Sequence, residues 1–144
     1  MMRSKWAAVV AVVLAAGVPA ASAAPQSAPR EKAAGEGVLC AIALYSGIAE
    51  AARTCTPETA PEFQAELRRQ VERLDAYALA NGMTTEGLAG FKSQNLAGLG
   101  DPSMCAAYRE EGLEEVLTAD PEAMRTTVDE LVARPGTPTW GSCI

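Results

Sequence analysis

The chain has 144 residues, with 12 basic and 18 acidic side chains, no histidine, and a formal net charge of −6. Without histidine it lacks Ser-His-Asp and Cys-His nucleophile systems and His-rich metal sites, and it carries no phosphate-loop, dinucleotide, haem or C-x-x-C motif. An acidic chain is repelled by the phosphates of nucleic acids and anionic lipid surfaces, so we expect no nucleic-acid partner.

Residues 1–23 have the layout of a secretory signal peptide. Arg3 and Lys5 form a basic n-region, an uncharged apolar run of 13 residues follows, and Ala21 and Ala23 supply an A-x-A cleavage site. The apolar run is shorter than the roughly 20 residues that a membrane-spanning helix needs. We therefore predict cleavage after Ala23, an exported protein in the periplasm or outside the cell, and no membrane span. Loss of two basic residues leaves 10 basic and 18 acidic side chains, a charge of −8.

The mature chain is predicted to hold one folded domain behind a flexible leader. Residues 24–37 mix proline, glycine, alanine and charges without periodicity, which indicates the leader. Residues 38–144 would form the domain. Its most apolar stretch, residues 38–55, carries apolar side chains at three- and four-residue steps and a cysteine near each end, and predicts a central helix.

Four cysteines in an exported chain favour two disulfides over a zinc site, since no two of them are closely spaced. Cys40 and Cys55 lie about 22 Å apart in a continuous helix and cannot pair. In an up-and-down bundle, the end of the first helix and the start of the fourth share one pole, which predicts Cys55–Cys105 and Cys40–Cys143. The alternative pairs Cys40 with Cys105 and Cys55 with Cys143.

The second predicted helix is the cleanest amphipathic one. Thr59 and Glu62 have the spacing of a capping box at its start, and Asn81–Gly82 is typical of a left-handed cap at its end. Its outer face carries a basic patch that is a candidate partner-binding surface, or else a solvated face with neighbouring glutamates. This basic patch consists of Arg68, Arg69 and Arg73.

A third, weaker helix follows, capped by Thr84 or Thr85. Its glycines each cost up to about 1 kcal/mol relative to alanine, so we expect it to be the most mobile element. Asn95 lies on its apolar side. There the amide either orients a ligand or satisfies a nearby backbone group.

Two Asp-Pro pairs predict two further helices, because aspartate caps a helix well and proline suits its first position. Asp101–Pro102 opens the fourth, to about residue 117, and Asp120–Pro121 opens the fifth, to about residue 133. A proline-containing extended tail follows, with the Trp140 indole expected to be packed. The predicted fold is an all-α, up-and-down bundle of about five helices with two disulfides and an extended C-terminal tail.

Two function classes fit this composition best. Carboxylates and tyrosines remain for catalysis, yet no spacing singles out a catalytic pair, so we expect a non-enzymatic protein without cofactor or metal. The first class is an interaction module, such as an inhibitor, an immunity-type protein or an accessory factor, that binds another extracytoplasmic protein. The alternative is a small helical carrier of an apolar ligand between helices, with three polar handles. The handles are Tyr45, Asn95 and Tyr108.

The segment from Cys40 to Ile48 reads C-x(4)-Y-x-G-I and is followed by Cys55. With the exported, helical, cysteine-bridged layout, it resembles in outline the periplasmic immunity proteins that neutralise secreted cell-wall amidases. The resemblance covers this segment alone. It implies an exported helical inhibitor and assigns a role to no residue.

Overall fold

The computed structural model describes residues 31–143, so the predicted signal peptide and residues 24–30 of the leader lie outside the described residues. Between residues 31 and 143 the fold is all-α and contains no strand. A 3-10 turn, Pro102–Met104, precedes the fourth helix. The six helices are α1 (Val38–Cys55), α2 (Pro61–Ala80), α3 (Thr85–Asn95), α4 (Cys105–Glu110), α5 (Leu113–Leu117) and α6 (Pro121–Val132).

The core lies where α1, α2 and α6 meet. The apolar face of α1 packs against α2, and α6 packs against both of them, so the three amphipathic faces exclude water together. Each aliphatic side chain buried in this way contributes about 1.5–3 kcal/mol relative to an exposed one. The largest fully buried side chains are Ile42, Leu67, Leu74, Leu117, Val38 and Val128.

The central helix α1 has the length and composition of a membrane-spanning helix, with a mean hydropathy of 1.3 over 18 residues. Core helices of soluble proteins and signal sequences share these properties. In the structure 44% of this window is buried inside the protein, and α2, α3, α4, α5 and α6 all contact it. These observations describe how α1 packs and do not test the prediction that the protein has no membrane span.

Both predicted disulfides are confirmed. Cys40 bonds to Cys143 with their Cα atoms 5.5 Å apart, and Cys55 bonds to Cys105 with their Cα atoms 5.2 Å apart. The two ends of α1 are thus tied to different parts of the chain. Such bridges form and persist in oxidising environments, as expected of an exported protein.

Three predicted helix starts are also found. Asp101 and Asp120 each accept a hydrogen bond from the backbone N–H two residues on, at 2.8 and 2.9 Å. Thr84 caps α3 by accepting from the backbone N–H of Gly87 at 3.0 Å. Each bond satisfies a donor that the first turn of a helix leaves unpaired.

Two local predictions need correction. The predicted fourth helix is interrupted at Gly112, whose left-handed φ of 89° ends α4 and begins α5. The capping box at Thr59 does not form, because Pro61 is the first residue of α2 and Ala60 is its N-cap, with a φ of 48° and no side-chain hydrogen bond. Instead, the Gln64 side chain donates to the carbonyl oxygen of Thr59 at 2.6 Å.

The end of the leader differs from the expectation of a flexible segment, because residues 31–37 lie against the C-terminal tail. Glu36 and Thr139 form an isolated parallel bridge. The Thr139 oxygen accepts from the Gly37 N–H at 3.1 Å, and the Thr139 N–H donates to Gly35 at 3.0 Å. Gly35 and Gly37 have φ values of 83° and 89°, which glycine adopts readily.

The extended tail is anchored along its length, but its tryptophan is not packed as expected. The Tyr77 hydroxyl donates to the Arg134 oxygen at 2.7 Å, and the Gly136 N–H donates to the Asn81 side chain at 3.0 Å. Trp140 contacts the ring of Phe91 at a centroid distance of 5.6 Å, yet it remains 55% exposed. The indole therefore contacts α3, but more than half of the residue stays exposed.

Candidate functional site

The predicted basic patch is largely engaged in contacts within the protein. Arg69 forms an ion pair with Glu66 on the same helix. Arg73 reaches α6, where it pairs with Asp129 at 2.7 Å. No ion pair reaches Arg68 from the described part of the chain. The patch is therefore a surface of mixed charge with a single uncompensated guanidinium.

Glu66 links α2 to α6 beside this patch. Its carboxylate is 8% exposed, accepts from Gln70 at 2.6 Å and lies 3.7 Å from a guanidinium nitrogen of Arg125. The hydrogen bonds from Arg69 and Gln70 hold the pKa of Glu66 below its usual value. This arrangement is compact and satisfied within the protein, so we assign it to fold stability.

The three predicted polar handles do not converge on one pocket. Tyr45 faces α6, where burial raises the pKa of its phenol and a hydrogen bond with Thr127 opposes that shift. Asn95 is exposed and donates to the Phe91 oxygen of its own helix at 2.8 Å. Tyr108 lines an apolar groove, and its buried hydroxyl has no hydrogen-bond partner among residues 31–143.

This groove runs between α1 and the α4–α5 segment and has a volume of about 280 Å³. Leu44 and Val116, on its two walls, are 38% and 41% exposed, so two large aliphatic side chains face solvent in one groove. The apolar groove, as we name it below, is lined mainly by Ala43, Leu44, Gly47, Ile48, Ala51, Leu99, Tyr108, Leu113 and Val116.

Gly47 shapes one wall of the apolar groove. A Cβ atom at this position would lie 3.1 Å from the Cδ1 atom of Leu99, closer than an ordinary contact. The missing side chain therefore lets the Leu99 loop approach α1.

A second apolar depression, of about 340 Å³, continues beyond the groove toward α6. The two share Ile48 and Val116, and the second also includes Tyr45, Phe63 and Met124. Apolar surface thus extends from the α4 side of α1 to its α6 side.

The wall of the apolar groove that α4 and α5 form is acidic in composition. Glu111, between the two helices, lines the groove, and the glutamates of α4 and α5 are exposed. Arg109 is the one basic residue of this segment, and its guanidinium donates to the Cys55 oxygen at 3.5 Å. We call the exposed glutamates of this segment the acidic rim, of which Glu111 lines the groove: Glu110, Glu111, Glu114 and Glu115.

Sequence reasoning missed the apolar groove because it predicted one continuous fourth helix to about residue 117. The break at Gly112 reorients α5, so Leu113 is buried while Val116 faces the groove. A glycine inside a helical pattern was the available signal.

Among residues 31–143, no cluster of three or more cysteine or acidic side chains is placed to hold a metal ion. Comparison with protein-family models, with curated proteins and with solved structures gives no match to this chain.

Proposed function

We propose that this protein is an exported, non-enzymatic interaction module that binds a partner protein through the apolar groove, in the periplasm or outside the cell. The observation that supports the proposal is the pair of exposed aliphatic side chains, Leu44 and Val116, on facing walls of one groove. A contiguous apolar surface of this kind is typical of a binding site.

The groove walls are held in place covalently. Cys55 at the end of α1 is bonded to Cys105 at the start of α4, so the two walls are joined at one end of the groove. A binding surface that is already ordered loses less conformational entropy on association. The fold therefore favours recognition of a preformed shape.

The chemistry of the groove favours an apolar segment flanked by lysine or arginine, such as an amphipathic helix with a basic face. The apolar walls would take its hydrophobic side chains, and the acidic rim would attract its cations. Complementary charge mainly raises the association rate and selects among partners. We prefer this surface to the basic patch because Arg69 and Arg73 already have partners within the protein.

An inhibitor of a secreted enzyme is one form of this module, in line with the resemblance to immunity proteins. The carrier remains the second candidate, supported by the unpartnered Tyr108 hydroxyl beside the apolar groove. A carrier would hold a small apolar molecule there in place of a protein segment.

Affinity capture from an extracytoplasmic extract tests the proposal with matched variants. Leu44→Glu and Val116→Glu place charge in the groove, whereas Leu79→Glu changes a side chain of similar exposure, 42%, on α2. We expect a stoichiometric partner with wild type and Leu79→Glu, and its loss with either groove variant. The purified complex should form more slowly in high salt and with Glu111→Gln.

Other results would overturn the proposal. Loss of the partner only when the basic patch is changed to glutamates would move the interface to Arg68, Arg69 and Arg73. A small apolar molecule found by native mass spectrometry, with no partner protein, would instead identify a carrier.

A further inference from the structure

A further depression, chemically different from the apolar groove and from the apolar depression next to it, lies between α1, α2 and α3. Its volume is about 370 Å³. Two of its side chains have buried oxygen atoms without a hydrogen-bond partner in the described residues, Ser46 Oγ and Asp75 Oδ1. Ser46 is only 7% exposed. Burying a polar atom without a partner is costly, and native proteins keep few such atoms.

Asp75 is held in a defined position. Its other oxygen, Oδ2, forms an ion pair with the ammonium group of Lys92, which connects α2 to α3. The ion pair occupies Oδ2 and leaves Oδ1 as an acceptor without a partner in the described residues. A ligand that donates a hydrogen bond, above all a cationic one, would satisfy it.

Charged and apolar side chains complete the depression, and the charged ones include Glu72 and the Glu50–Arg53 ion pair. Arg68, the uncompensated member of the basic patch, lines it and is suited to a carboxylate. Three small or aliphatic side chains supply the apolar part. They are Ala49, Val71 and Leu96.

We infer that this depression binds a small zwitterion with the form of an α-amino acid. The ligand's ammonium group donates to Asp75 Oδ1, its carboxylate pairs with Arg68, and the Ser46 hydroxyl gains a hydrogen-bond partner. An aliphatic ligand side chain packs on Val71 and Leu96. This site is separate from the apolar groove, so its test does not depend on whether the proposed partner protein exists.

Titration of L-leucine into the isotope-labelled protein, with both disulfides intact, tests the inference by NMR. We expect saturable shifts of the backbone amides around residues 46, 71–75 and 92–96. N-acetyl-L-leucine, which has no ammonium group, and L-leucine methyl ester, which has no carboxylate, should each bind about tenfold more weakly or not at all. Equal binding of all three would overturn the assignment to a zwitterion.

Two variants in the site and one outside it locate the ligand. Ser46→Ala and Asp75→Asn should each weaken L-leucine binding about tenfold, because each removes a group that bonds the ligand. Asp129→Asn also removes an aspartate from an ion pair between helices, but lies outside the depression, and should leave binding unchanged. No saturable shift in the wild type at millimolar L-leucine, or unchanged binding in both site variants, would overturn the inference. Thermal unfolding of each variant verifies that it is folded.

Discussion

The disulfide between Cys40 and Cys143 joins the first turn of α1 to the C-terminal tail across 103 residues of sequence. It closes beside the backbone bridge between Glu36 and Thr139, so it fixes three segments at one place. Replacing both cysteines by serine should lower the free energy of unfolding by up to about 4.7 kcal/mol, the value that the chain-entropy model gives for a loop of this length. Urea unfolding measures it, and an unchanged unfolding midpoint would contradict it.

Hydrogen exchange separates this bridge from the other one. Without Cys40–Cys143, the amides of Gly37 and Thr139 should exchange faster, because their hydrogen bonds lose the covalent clamp. Serine replacements at Cys55 and Cys105 provide the control. They should lower the free energy of unfolding by a similar amount. The amides of Gly37 and Thr139 should then exchange only through global unfolding, without additional local opening.

A pair of glycine substitutions tests the close contact between the leader and the tail. At Gly37 an alanine Cβ would lie 2.4 Å from the backbone oxygen of Ser142, and the φ of 89° is itself unfavourable for alanine. At Gly82 the φ is 101°, but nothing lies within 4 Å. Gly82→Ala should therefore lower the free energy of unfolding by about 1 kcal/mol. Gly37→Ala should lower it by at least about 1 kcal/mol more. Equal effects in urea unfolding would show that the leader does not pack as described.

These contacts show where sequence reasoning succeeds and where it stops. The distance between Cys40 and Cys55 in one helix excluded that pair, and the poles of an up-and-down bundle favoured the pairing that is found. The Asp101 and Asp120 caps followed from local hydrogen bonding. Such features depend on residues near in sequence or on simple chain geometry. They were predictable for that reason.

The apolar groove and the pairing of Gly37 with Thr139 depend on residues far apart in sequence. Composition alone made residues 31–37 look like a linker, since their glycines serve equally in a flexible segment and in a tight contact. Similarly, the helical pattern around Val116 is compatible with burial or exposure until the direction of α5 is known. Gly112 signals a break in the helix, but no local signal gives the direction that α5 takes after it.

Helix α3 offers a stabilising substitution. Gly90 lies in its interior without a positive φ, and an added Cβ would meet nothing within 4 Å. Gly90→Ala should raise the free energy of unfolding by about 0.5–1 kcal/mol, because alanine loses less backbone entropy in a helix. Gly98→Ala is the control: its surroundings are equally open, but its φ of 78° makes the change unfavourable. A loss of stability in both variants would contradict the helical conformation of residue 90.

The Glu66 carboxylate should make stability depend on pH. Its pKa is lowered in the folded protein by hydrogen bonds from Arg69 and Gln70. A lowered pKa means that the stabilisation is fully present above the unfolded value of about 4.5 and is lost as the pH falls through the folded pKa. Glu66→Gln should cost about 1 kcal/mol near neutral pH and reduce the loss of stability in acid. Urea unfolding across this pH range measures it, and an unaltered pH profile would contradict it. Glu130→Gln, at an exposed position of α6, is the control and should change the pH profile of stability little.

The unpartnered hydroxyl of Ser46 predicts that removing it stabilises the ligand-free protein. Ser46→Ala eliminates a buried polar atom whose burial costs about 1–3 kcal/mol, and it also raises helix propensity by a few tenths of a kcal/mol. Ser93→Ala, at an exposed position of α3, provides only the propensity gain. In urea unfolding, the free energy of unfolding of Ser46→Ala should therefore exceed that of Ser93→Ala by about 1 kcal/mol. A loss of stability in Ser46→Ala would mean that the hydroxyl is already satisfied without a ligand, and would remove one support for the zwitterion site.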